Sequence, residues 1–155
     1  MSDFKGHSNL RDIFLTSVRE APNKPFLGTR SKHINDKVKQ LTKENEIVHG
    51  DYEWKTFQEI HDMSSKLARY LMTHNLAPRH ETEDGPFRFL ALYSKNREEW
   101  AVTDLACILA GITTVTLYDT LGKESIEYIL DQTSMKTVVC QADKVNSIIE
   151  LKKAG

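Results

Sequence analysis

The sequence predicts an α/β fold, a mainly parallel sheet flanked by helices, on three observations. Residues 87–122 run as a short aromatic and aliphatic segment, a stretch that is apolar or small throughout from Leu105 to Ala110, a glycine, and a β-branched segment. A strand, helix, strand unit of this length implies a parallel pair joined by a right-handed crossover. Ahead of it, Thr56-Phe-Gln-Glu59 opens a long amphipathic pattern, so a helix precedes the first of these strands. After residue 122 the alternation continues, with helical spacing over 123–132, a strand pattern over 136–141 and a last helix after Asp143. The length suits one domain, with 1–55 as a leading helix and extended segments and 56–155 as an alternating helix/strand core.

Each element has a local reason. Asn9 or Ser8 caps a first helix whose apolar stripe is Leu10, Ile13, Phe14 and Val18, and Pro22 and Pro25 end it. Residues 26–30 form a short extended piece, and the charged stretch 31–45 makes a mobile surface excursion. Residues 46–55 read as a strand or hairpin around His49-Gly50-Asp51. Thr56 and Glu59 form a capping box; Phe57, Ile60, Ser64, Leu67, Ala68 and Leu71 then line one helix face, packed on the sheet. Residues 75–86, with two prolines and the acidic Glu81, Glu83 and Asp84, read as a loop. The central strand is 87–93. Asn96 caps the next helix, with Glu98 and Glu99 where the positive helix end favours carboxylates, Trp100 largely buried, and Gly111 as the stop. Residues 112–118 and 137–140 complete three parallel strands. Between these two, a helix turns Ile126, Ile129 and Leu130 inwards, and Asp143 caps a final helix carrying Val145, Ile148 and Ile149.

Composition excludes several functions. The 21 basic and 22 acidic residues nearly cancel, and no basic block interleaves with aromatics, so nucleic acid is not a partner. No stretch approaches the ~18 apolar residues of a membrane span, and the first residues carry no apolar core of signal length, which suggests a cytoplasmic chain. Cys107 and Cys140 have no Cys or His at ligand spacing and read as reduced thiols. The six histidines are scattered. Glu81, Glu83 and Asp84 could attract a metal, but consecutive carboxylates on a loop are more simply solvated.

Tyr93-Ser-Lys-Asn-Arg-Glu-Glu-Trp100, then Asp104-Leu-Ala-Cys107 and Leu117-Tyr-Asp-Thr-Leu-Gly122, closely resembles the long-chain fatty acid to coenzyme A ligases, members of the AMP-forming adenylate ligases. Pro25-Phe-Leu-Gly-Thr-Arg30 and Tyr52-Glu-Trp-Lys-Thr-Phe-Gln-Glu-Ile60 agree with that family in order and spacing, and the likeness covers residues 8–152. Thr116 stands where the family usually carries proline; threonine suits a strand and is expected to restore a ladder donor. The resemblance implies that 1–155 is an incomplete amino-terminal portion of an AMP-binding domain. It implies for the full-length family ATP, magnesium, a fatty acid and coenzyme A, an acyl adenylate and then acyl-CoA, and it is compatible with peripheral association of the complete protein with an intracellular membrane.

The chemistry of the chain itself is sparse. Phosphate loops need small residues close together so that successive amides reach the anion, and the closest glycines here are Gly111 and Gly122. The family's Ser-, Thr- and Gly-rich loop with its lysine has no counterpart, and its adenine-contacting segment, ribose-binding aspartate and catalytic lysine belong to regions that would lie beyond Gly155. No catalytic, cofactor-binding or metal residue is therefore assigned, no cofactor is expected on this chain, and the chain alone is expected to be inactive. The polar residues best placed to approach a ligand are those at the carboxyl ends of parallel strands, 94–96, 118–120 and Gln141. Their structural roles, caps for Asn96 and Thr120 and packing for Tyr118, are the preferred reading. Two rival readings stand beside the ligase fragment: a truncated non-catalytic binding or dimerisation module, and an ordinary α/β binding domain with an accidental likeness.

Overall fold

In the computed structural model the described residues are 6–31, 50–118 and 120–154. The excursion expected over 31–45 lies outside them from residue 32, as do residues 46–49 and Asp119. In chain order the elements are α1 (Leu10–Glu20), β1 (Pro25–Arg30), β2 (Tyr52–Thr56), α2 (Phe57–Thr73), β3 (Arg79–Thr82), β4 (Gly85–Tyr93), α3 (Glu98–Ala110), β5 (Thr113–Thr116), α4 (Lys123–Thr133), β6 (Val138–Cys140), a 3-10 turn (Ala142–Lys144) and α5 (Val145–Ala154).

Everything is arranged about β4. It pairs in parallel with β5, Phe89 opposite Thr113 through Leu92 opposite Thr116, and in parallel with β6, Ala91 opposite Val138 through Tyr93 opposite Cys140. The three parallel strands are those expected. Successive side chains of a strand point to opposite faces, so Leu90 and Leu92 join Leu71, Ala77, Cys107 and Ile112 on one side. Ala91 and Tyr93 join Leu117, Ile126 and Leu151 on the other. All four consecutive β4 residues are buried, as a parallel strand covered on both faces requires.

The first half of β4 pairs with β3 in an antiparallel hairpin, from Arg79 opposite Arg88 to Thr82 opposite Gly85, which corrects the loop expected over 75–86. Gly85 has φ 110°, a backbone state that suits glycine, and the Thr82 hydroxyl donates to its carbonyl (2.7 Å). Pro86 stands near the start of β4, where a missing N–H is tolerated. The acidic cluster is exposed on this hairpin.

The helix of the capping box forms as expected: the Glu59 N–H donates to Thr56 Oγ1 (3.2 Å) and the Thr56 N–H to Glu59 Oε2 (2.7 Å). That second bond holds the Glu59 carboxyl below its ordinary pKa. Ile60, Ser64, Ala68 and Leu71 are buried on the face expected, but the face rests mainly on α3 rather than on the sheet. Small residues allow the approach: the Ser64 hydroxyl donates to the Val102 carbonyl of α3 (3.1 Å), while Leu71, with Leu67 beside it, reaches the cluster of Leu90 and Leu92. Ile60 and Val102 close a third cluster with Phe14 and Val18 of α1. Leu10 is 66% exposed and drops out of the α1 stripe, because the helix enters this cluster only at Phe14. Asn9 caps α1, accepting from the Asp12 N–H (2.9 Å).

Three other expected caps are displaced. Arg97, with extended φ of −162°, precedes α3, and Asn96 lies outside it; no side chain caps this end. Glu98 and Glu99 face the positive helix end instead. Gly122 precedes α4, so Thr120 caps nothing. A 3-10 turn absorbs Asp143 before α5, whose Val145 and Ile149 are exposed while Ile148 and Leu151 pack inwards. Gly111 does end α3, in the left-handed region at φ 66°, with the Ile112 N–H returning to the Cys107 carbonyl (2.9 Å).

The packing of α2 on α3 makes a measurable difference between two apolar positions. Ile60→Ala, at a residue with no solvent exposure, is expected to cost about 2–5 kcal/mol in urea unfolding, whereas Leu10→Ala stays within about 0.5 kcal/mol.

Candidate functional site

The crossover from β4 to β5 carries α3 on one face of the sheet, and the crossover from β5 to β6 carries α4 on the other and passes over β4. The carboxyl ends of β4 and β6 therefore lie side by side where the winding reverses, the place where open α/β sheets hold ligands. A crevice of about 240 Å³ opens there. Its floor is apolar, from Leu92, Val139 and Cys140, and Trp100 forms one wall.

The loops at its mouth are fastened to each other. The Gln141 N–H donates to the Tyr93 carbonyl (3.2 Å), and the Gln141 side-chain oxygen accepts from the Lys95 N–H (3.0 Å). Ser94 donates its hydroxyl to the Lys95 carbonyl (3.0 Å). Arg97 grips Glu99 with two nitrogens, Nε to Oε2 at 2.6 Å and the terminal nitrogen to Oε1 at 2.7 Å. The guanidinium lowers the Glu99 carboxyl to about 2, and Glu99 in turn raises Arg97. On the far side of the same helix end, Lys55 Nζ meets Glu98 at 2.7 Å, and that hydrogen bond raises the lysine pKa.

Of the residues expected near a ligand, Ser94 and Gln141 line this crevice, whereas Lys95 and Asn96 are exposed and not among the lining residues, Lys95 being tied to it only through its N–H to Gln141. Tyr118 and Thr120 are exposed beyond β5. Tyr118 is 63% exposed, so it does not pack as expected; its hydroxyl accepts from Thr116 Oγ1 (3.2 Å). Thr116 suits the strand, but the ladder bond at this level comes from the Leu117 N–H to the Leu92 carbonyl (2.8 Å), and strand amides alternate in direction. Threonine therefore adds no donor to β4. Trp100 keeps part of its surface open: the ring packs against the Leu90 and Leu92 cluster and also lines the crevice. Arg97, Glu99, Trp100 and Cys140 also line the crevice, although the sequence reading gives them only structural or family roles; the spacing of Arg97, Glu99 and Trp100 shortly after a strand is the available signal.

The crevice combines an apolar floor with the paired Arg97 and Glu99. The Ser94 hydroxyl donates to a carbonyl, and the Glu99 carboxylate of the lining is held by Arg97. Burial pushes the Cys107 thiol up to about 11, and burial with the Asp143 carboxylate raises Cys140. Among the described residues no three His, Cys, Asp or Glu side chains gather to hold a metal. A wider depression of about 580 Å³ beside α1, near Asp12, Arg19 and His61, is remote from the strand ends.

Solved structures with this fold include an anthranilate CoA ligase and a fatty acid AMP ligase. The chain aligns over 95% of its length with 23% of an anthranilate CoA ligase, AuaEII, solved with anthranoyl-AMP, at TM-score 0.68 and 15% identity. It aligns over 94% with 22% of a fatty acid AMP ligase from Legionella pneumophila, at TM-score 0.64 and 15% identity. At such identities the likeness is one of fold. The model of the AMP-binding enzyme family matches residues 35–155, and the chain belongs to that family. Among curated relatives it is 30% identical to long chain acyl-CoA synthetase 4 of Arabidopsis thaliana, over 94% of this chain and 19% of that protein. It is 26% identical to long-chain-fatty-acid–CoA ligase 5 of Rattus norvegicus, over 95% of this chain and 18% of that protein. The chain thus spans about a fifth of the length of these relatives, and it resembles the amino-terminal part of an AMP-forming acyl-CoA ligase.

Two outcomes follow from the site's electrostatics. With the folded pKa of Glu99 depressed from 4.5 to about 2, its contribution to stability is present above pH 4.5 and is lost as the pH falls towards 2. Acid titration of Glu99→Gln should therefore show a shallower loss over that window, a small effect because water screens an exposed pair. In thiol titration at pH 8, Cys140, half-buried, should react slowly in the native protein, and Cys107 only after unfolding in urea.

Proposed function

We propose that the chain furnishes scaffold for an ATP-dependent long-chain fatty acid to coenzyme A ligase, and that the 155-residue chain alone makes neither acyl adenylate nor acyl-CoA. The complete protein joins a fatty acid to AMP with magnesium neutralising phosphate charge, then passes the acyl group to coenzyme A. It works in the cytoplasm, peripheral to an intracellular membrane. Among the described residues no helix is long and apolar enough to cross one.

The observation that carries this reading is the match to the AMP-binding enzyme family over residues 35–155, supported by relatives named as long-chain acyl-CoA synthetases. The crevice does not suit a triphosphate. Its lining guanidinium is held by Glu99 through two nitrogens, the Lys95 N–H is taken by Gln141, and the loop after β4 has no glycine. Removing even one preorganised donor from a phosphate or oxyanion site commonly costs on the order of 100-fold in rate, so a chain without the set is inactive by this reading. A second reading, a non-catalytic binding or dimerisation module, draws on Val145 and Ile149, exposed one turn apart on α5; native mass measurement tests it.

Incubated with ATP, magnesium, palmitate and coenzyme A, the purified chain should release no pyrophosphate above a heat-killed control, and ATP should not raise its Tm. A chimera carrying residues 8–152 in place of the matching segment of the Arabidopsis thaliana synthetase should retain ligase activity. Sustained fatty-acid-dependent pyrophosphate release by the chain alone overturns the proposal.

A further inference from the structure

The hairpin of β1 and β2 stands apart from the main sheet, and its two faces differ. Thr29 and Lys55 point towards α3, where both reach Glu98 Oε2, at 3.3 and 2.7 Å. Strand alternation then places Gly28, Arg30, Tyr52 and Trp54 on the opposite face, and the register sets Gly28 against Trp54 and Arg30 against Tyr52. This outer face is an ordered aromatic platform. The Trp54 ring lies over Gly28 so closely that a Cβ there would come within 2.9 Å of a ring carbon. Tyr52 and Trp54 have centroids 5.5 Å apart, and the Arg30 guanidinium sits 4.7 Å over the Tyr52 ring.

Despite this order the aromatic pair is in water: Tyr52 is 50% and Trp54 56% exposed. Glu53 and Lys55 belong to the other face, so Arg30 is the charged strand residue on this one. A face that combines tryptophan, tyrosine and, among the described strand residues, one cation matches the headgroup layer of a bilayer, where amphipathic rings settle and anionic lipid attracts arginine. The rings are held before contact, which reduces the ordering cost of docking.

We propose that this outer face of the β1–β2 hairpin is a docking surface for an anionic lipid bilayer. It deepens the peripheral membrane association proposed above and rests on that reading, but not on the ligase chemistry; vesicle binding and pyrophosphate release therefore report on the two separately.

The test uses the full chain with phosphatidylcholine vesicles and with vesicles containing phosphatidylserine, read by sedimentation and tryptophan emission. The chain should sediment with the anionic vesicles and its emission should shift to the blue. Trp54→Phe should abolish the shift, leaving Trp100 as the internal reference, while retaining most of the sedimentation. Arg30→Gln should lower partitioning about fivefold, raised salt should weaken it, and the Tyr52→Ser, Trp54→Ser double variant should lose it with an unchanged far-ultraviolet circular dichroism spectrum. Three results would each overturn the proposal: no binding to anionic vesicles, binding that survives the double serine variant, or a Trp54 emission change that follows protein concentration without lipid, which identifies a second copy as the occupant.

Discussion

The fold depends on one constraint: four consecutive residues of β4, Leu90 to Tyr93, must be covered from both sides at once. A strand of that kind cannot be satisfied by helices on a single face. The chain meets the demand by placing α3 against one side, with α2 lying over α3, and by taking α4 and α5 to the other. The reversal of winding that opens the crevice is thus a by-product of covering β4, and the site has its position before any polar residue is considered. Hydrophobic burial sets the place, and the hydrogen bonds of Gln141 then define its mouth.

Much of the backbone is legible in the amino-acid order because its signals are local or periodic. The capping box of Thr56 and Glu59, the uniform apolar run to Ala110 and the glycine stop at Gly111 need no tertiary information. The hairpin of β3 is less legible, since Pro78 and Pro86 read as breakers and only the pairing partner shows that Pro86 can sit within the start of a strand. Caps fail for a related reason. Asn96, Thr120 and Asp143 are each competent capping residues, but composition does not determine which of several successive residues takes the extended conformation before a helix.

The site is legible in outline only. That strand ends carry the candidate residues is a rule of topology, and of those it names Ser94 and Gln141 line the crevice. Which strand ends adjoin is not in the rule: β6 lies on one side of β4 and β5 on the other, so Tyr118 and Thr120 belong to a different part of the surface. Trp100 shows the same limit at a single residue, since one side of its ring meets the core and another part forms a crevice wall, an arrangement created by β6 from 38 positions further on, at Val138.

The bond from the Lys95 amide to the Gln141 side chain gives the crevice a mechanical character. Lys95 follows the strand that leads into α3, and Gln141 follows the strand that leads into α5, so a single side chain clasps together two segments bound for opposite faces of the sheet. Neither segment can swing outward alone while the clasp is closed. The mouth is consequently framed by both crossovers, the one that enters α3 and the one that leaves β6 for α5.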